Sequence, residues 1–152
     1  MKFGIFYEHQ LPRPWTDDSE RQLIQDALEQ VELADRLGFH AVWEVEHHFL
    51  EEYSHSSAPE VFLAAASQRT KNIRLGHGIV QTPPAFNHPA RVAERIAMLD
   101  LVSNGRVAAH PADPPRPRHR ADAAAVQSPG AGCGADRDAR PGVERPGRLR
   151  HR

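Results

Sequence analysis

The chain has 152 residues, room for one ordinary domain, with 19 Lys and Arg against 20 Asp and Glu. Its single cysteine, Cys133, excludes an internal disulfide and a cysteine-built zinc site. No apolar run approaches the ~20 residues that span a bilayer, and Met1–Tyr7 reaches Glu8 without a leader-like apolar core, so a soluble, cytoplasmic protein with no membrane role is expected.

The charge is unevenly spread. Residues 1–107 hold 10 basic and 15 acidic side chains, whereas residues 108–152 hold 9 and 5. The Lys and Arg of the first part do not cluster, so no nucleic-acid partner is expected.

Phe3, Ile5 and Tyr7 alternate with Gly4 and Phe6, which reads as a first strand buried on both faces. Leu11-Pro12-Arg13-Pro14-Trp15 is a loop, because each proline lacks an N–H and biases its predecessor to extended backbone. Thr16 or Asp17 opens a helix whose apolar face carries Leu23, Ile24, Ala27, Leu28, Val31, Ala34 and Leu37, closed by Gly38. Ala41-Val42-Trp43 starts a second strand.

Ser57-Ala58-Pro59-Glu60 has the form of a capping box with proline in the first turn, and predicts a second helix. Ile73 to Val80 predicts a third strand, stopped by Pro83 and Pro84. Asn87-His88-Pro89 opens a third helix with Val92, Ile96 and Leu99 on one face. Ser103-Asn104-Gly105 ends it, and Arg106-Val107 begins a fourth strand.

Strands alternating with helices across short connections argue for an α/β fold of parallel βαβ units. The closures to weigh are a doubly wound sheet and a (β/α)8 TIM barrel. Tyr7-Glu8-His9-Gln10 follows the first strand where a dinucleotide fold would carry G-x-G-x-x-G, so the barrel is preferred. Only its first three βα units are present.

Residues 108–152 contain 10 Ala, 9 Arg, 7 Pro and 5 Gly, with no Phe, Tyr, Trp, Ile, Met or Lys. That composition predicts a disordered tail, since it cannot bury enough apolar surface to offset ordering entropy. Two readings stand: a natural basic tail, or a GC-rich gene read out of frame. The change falls inside a predicted strand, which favours the second. The domain boundary is therefore set at residue 107.

In a parallel barrel the active site forms where the strands end. Glu8-His9, Glu46-His47-His48, and His77 with Gln81 fall at the three strand ends and should converge on one mouth. His47 is the candidate acid or base, because imidazole titrates near neutrality. His48 is next to it, so in a strand it would point to the opposite face, and the two could not both line one pocket without a bend. Tyr7, Glu46, His48 and Gln81 are candidate wall residues. No metal is expected: adjacent His47 and His48 have the wrong parity for two ligands on one strand, and no H-E-x-x-H occurs.

Met1-Lys2-Phe3-Gly4-Ile5-Phe6, Leu37-Gly38-Phe39, Val42-Trp43 with Glu46-His47-His48-Phe49, Ile73-Arg74-Leu75-Gly76, His88-Pro89-Ala90-Arg91 and Leu99-Asp100 with Ser103-Asn104-Gly105-Arg106 keep a familiar order and spacing. In these the chain resembles the bacterial luciferase-like, flavin-dependent monooxygenases over residues 1–107. The resemblance implies a (β/α)8 barrel that uses reduced FMN, O2 and an organic substrate, with a separate flavin reductase and a dimeric full-length form. Some relatives use the deazaflavin F420 instead. It implies that His47 is the active-site histidine. It also implies that Gly76, His77 and Gly78 lie under the flavin, where the family often has a non-proline cis peptide. The flavin phosphate site would lie in later βα units, which makes this chain a truncated and inactive form. The rival reading is a non-catalytic fragment or binding module.

Overall fold

The computed structural model describes residues 1–108. They form β1 (Gly4–Tyr7), α1 (Ser19–Arg36), β2 (Ala41–Glu44), α2 (Pro59–Arg69), β3 (Arg74–His77), α3 (Pro89–Val102) and β4 (Val107–Ala108). Apart from Ala108, the expected tail and its Cys133 lie outside the described residues.

All strand pairs are parallel, and the order across the sheet is β1-β2-β3-β4. Ile5, Val42, Leu75 and Val107 stand in one row of that register. A doubly wound sheet reverses its direction of winding, which places β4 beside β1 or β1 between β2 and β3. Here each strand is added beside its predecessor. All three helices also cover the same face. Ala27, Leu28, Val31 and Ala34 of α1, Phe62, Leu63 and Ala66 of α2, and Leu99 of α3 pack over Val42 and Leu75. A sheet wound one way under a single helix layer is an arc of a βα barrel.

The helix ends explain two differences from the sequence reading. α1 begins at Ser19, because the Asp18 carboxylate takes hydrogen bonds from Arg21 (2.6 Å to Nη2) instead of capping the backbone. α2 has Ala58 as its N-cap, with no side-chain cap bond. Glu60 is then one position too early for a capping box, and its carboxylate turns to Arg95 and His77. The other ends follow expectation: Gly38 (φ +82°) closes α1, Asn104 (φ +57°) and Gly105 (φ +76°) follow α3, and His88 Nδ1 accepts from Ala90 N.

β1 is not buried on both faces. Ile5 and Tyr7 pack under the helices, while Phe6 is 52% exposed on the other side; Phe3, ahead of the strand, is 60% exposed beside the Phe39 ring (6.4 Å between centroids). β1 is an edge strand, and among the described residues no layer covers that second face. No helix among the described residues is long and apolar enough to cross a membrane.

Candidate active site

Parallel strands deliver their C-terminal ends to one edge, so Glu8, Val45 and Gly78 leave the sheet together. β3 ends at His77, short of the expected Val80, where Gly78 N donates to Glu44 O (2.7 Å). The loops beyond β1 and β2 are sewn to each other by backbone bonds, Leu11 N to Glu52 O (3.0 Å) and His55 N to His9 O (3.1 Å), and the β2 loop is closed on itself by His47 N to Ser56 O (2.7 Å).

At this mouth His47 Nε2 faces Glu8 Oε2 at 3.5 Å. Their side chains are 19% and 21% exposed, yet both of these atoms are enclosed and neither has a hydrogen-bond partner. The His47 ring lies 5.7 Å from the Tyr53 ring.

Glu46 is different. Its Oε2 accepts from Gln81 N (2.7 Å), and its Oε1 accepts from Asn87 Nδ2 (2.8 Å) and faces His48 Nε2 at 3.1 Å. Asn87 Oδ1 in turn accepts from Arg95 (3.1 Å). Burial alone would raise the Glu46 carboxyl, but the bonds from Gln81, His48 and Asn87 outweigh it and hold the group below the usual carboxylate range. Three of the expected wall residues, Glu46, His48 and Gln81, therefore do meet. His47 and His48 go to different carboxylates, although not through strand parity: β2 has already ended at Glu44.

Two expected mouth residues belong to the helix side. The Tyr7 hydroxyl donates to Gln30 Oε1 of α1 (3.0 Å), and burial, with a contribution from Glu44, raises it to about 12. His77 turns toward Glu60 Oε1 (3.8 Å) between α2 and α3, where it and Arg95 keep the Glu60 carboxyl low against the effect of burial.

Sequence reasoning missed the most enclosed ionisable side chain among the described residues, Glu44. It is fully buried, with Oε2 3.1 Å from His9 Nε2 and Oε1 hydrogen-bonded by Ser56 Oγ. His9 reaches this position from left-handed backbone (φ +52°), stacked on Tyr7 (5.2 Å between rings) and edge-on to Phe62 (4.8 Å). A signal was present: a carboxylate inside the apolar run Val42-Trp43-Glu44-Val45 must find a partner.

The glycines of β3 make room for rings. A Cβ on Gly76 would collide with the Trp43 indole, and one on Gly78 with the Phe6 ring. The peptides there are trans, since the one cis bond among the described residues is Arg13–Pro14. The expected cis peptide is absent, and the space freed by each glycine is filled by an aromatic side chain of the open face.

Residues 1–110 match the family model of luciferase-like monooxygenases. The chain belongs to that family. The luciferase-like segment is 44% identical over 109 residues to limonene 1,2-monooxygenase of Rhodococcus erythropolis, covering 70% of this chain and 26% of that enzyme. It is 38% identical over 109 residues to the oxygenase component of a flavin-dependent trigonelline monooxygenase of Acinetobacter baylyi, covering 70% and 28%. Among solved structures, monooxygenase RslO1 of Streptomyces bottropensis superposes with a TM-score of 0.61 at 42% identity, over 72% of this chain and 32% of that one. An F420-dependent secondary alcohol dehydrogenase superposes with a TM-score of 0.52 at 27% identity, over 71% and 30%. The chain thus spans about a third or less of the proteins it matches.

Proposed function

We propose that residues 1–107 form the His47 side of a luciferase-like monooxygenase active site, which uses reduced flavin and O2 to oxidise a small organic substrate. The observation that carries this reading is the juxtaposition of His47 and Glu8 with an open aromatic face, in a chain of this family. The residues fit a flavin ring. Its flat apolar body suits the exposed Phe6 and half-buried Trp43, and its polar edge suits a rim that carries the partly exposed Glu8 and His47 side chains. When bound, reduced FMN would supply electrons to O2.

In this reading His47 holds or moves a proton at the mouth. Gly76 and Gly78 act through the rings they admit, and Glu46, Gln81 and His48 fix the loop that walls the site. His77 and Tyr7, turned to the helices, serve the scaffold. A separate reductase would deliver the flavin, as the name of the trigonelline oxygenase component implies for that relative. The complete enzyme would be dimeric and cytoplasmic. The likeness to an F420-dependent dehydrogenase favours a second reading, in which a deazaflavin takes the place of FMN.

The composition change after Val107 supports a further part of the proposal, that residues 108–152 are translated out of frame. Reading the coding DNA in another frame near codon 107 should restore a strand and a glycine-rich turn; continued low-complexity sequence in every frame would refute it.

A chimera tests the function, with residues 1–107 replacing the matching segment of the limonene 1,2-monooxygenase. It should turn over with reduced FMN and O2. His47→Ala in that chimera should lower kcat roughly 10²–10⁴-fold, the usual range for a general acid or base. Unchanged turnover would remove His47 from the chemistry. Hydride exchange between F420 and an organic substrate, with no O2 uptake, would select the second reading.

A further inference from the structure

We propose that Glu8 is the positioning residue of His47: its carboxylate accepts the Nε2 proton, fixes the neutral ring as the Nε2–H tautomer, and leaves Nδ1 to work at the mouth. The proposal rests on the reading of His47 as the active-site histidine.

An imidazole N–H enclosed by protein needs an acceptor, and the carboxylates around the mouth differ in what they have left to give. Glu44 is occupied by His9 and Ser56. Glu46 is occupied by Gln81, Asn87 and His48. Glu51 and Glu52 are paired with Arg13. Glu8 alone of these keeps an enclosed oxygen with no hydrogen-bond partner, and that oxygen faces the one enclosed, unpartnered nitrogen of His47. At 3.5 Å the two atoms need to approach by only a few tenths of an ångström to reach an ordinary N–H···O distance.

The backbone holds this arrangement from both sides. His47 N donates to Ser56 O (2.7 Å), and the adjacent His9 O accepts from His55 N (3.1 Å), so both residues are tied to the same loop. His47 Nδ1 is not among the enclosed atoms. With Nε2 committed to Glu8, the lone pair of the neutral ring is on Nδ1, and that nitrogen is the one that can accept a proton at the mouth. Second partners of this kind commonly fix which imidazole nitrogen is available.

Long-range ¹H–¹⁵N spectra of the histidine rings in the full chain test this, with His47 assigned by loss of its signals in His47→Gln. The expected result is an Nε2–H ring with bare Nδ1 and a ring proton that exchanges slowly with water. Glu8→Leu should abolish that protection, whereas Glu8→Gln, which retains an acceptor oxygen, should keep it. A ring protonated on Nδ1 in the unsubstituted chain would overturn the proposal. So would an Nε2 proton equally protected in Glu8→Leu. If the amide spectrum shows Glu8→Leu unfolded, the tautomer of the unsubstituted chain and the Glu8→Gln spectrum decide: loss of protection in Glu8→Gln counts against the proposal. No flavin is needed, so failure here is separate from failure of the chimera.

Discussion

Two histidine–carboxylate pairs lie within a few residues of each other and have opposite surroundings. His9 and Glu44 have 1% and 0% side-chain exposure, a 3.1 Å contact and a serine on the second oxygen. His47 and Glu8 are about a fifth exposed, 3.5 Å apart and not hydrogen-bonded. The first pair is sealed under the helices, with both Glu44 oxygens engaged and only His9 Nδ1 left without a partner. The second stands at the mouth, where the two atoms that face each other, Glu8 Oε2 and His47 Nε2, are both still unpaired. The same two residue types are thus locked together in one place and, in the other, face each other unbonded at the strand ends where the proposed site lies.

The sharpest way to break that contrast is to remove the buried imidazole. His9→Ala leaves the Glu44 carboxylate unpaired in an apolar layer, and should cost ~3–5 kcal/mol in urea unfolding. A loss below ~1 kcal/mol would mean that water replaces the ring and that the pair is not sealed. Next in size is Gly76→Ala, which drives a methyl group into the rigid Trp43 ring and should cost about 1–3 kcal/mol. A neutral outcome there would show that the open face is loosely packed.

An effect of similar size, but dependent on pH, separates Glu46 from both pairs. Its carboxyl is depressed in the folded chain, because bonds from Gln81, His48 and Asn87 outweigh burial. Its contribution to stability is therefore complete above the ordinary carboxylate pKa and is lost as pH falls through the lower folded value. Relative to Glu46→Gln, the unsubstituted chain should be more stable at neutral pH by about 1–3 kcal/mol, and that lead should vanish in acid. A lead that persists in acid would assign the difference to packing.

Much of this was legible in the sequence. The alternation of strands and helices, the Gly38 and Gly105 helix ends and the placement of polar residues at strand ends all followed from periodicity and turn chemistry. Direction was harder to read. Phe6 looks like a core residue in a list of apolar positions, but β1 is an edge strand with one covered face. The parity argument for His47 and His48 assumed a strand that had already ended at Glu44. Tyr7 and His77 lie at strand ends as expected, yet strand alternation turns them under the helices. Glu44 was overlooked because a single acid in an apolar run carries no spacing pattern; only its burial cost points to it.

Equilibrium urea unfolding of Glu44→Ala and Glu8→Ala, side by side in the full chain, tests the separation of the two pairs most directly. Glu44→Ala should lose ~3–5 kcal/mol by stranding its buried partners, while Glu8→Ala should stay within about 1 kcal/mol of the unsubstituted chain, as partly exposed pairs do. Equal losses, or a larger loss at Glu8, would contradict the assignment of one pair to the fold and the other to the site.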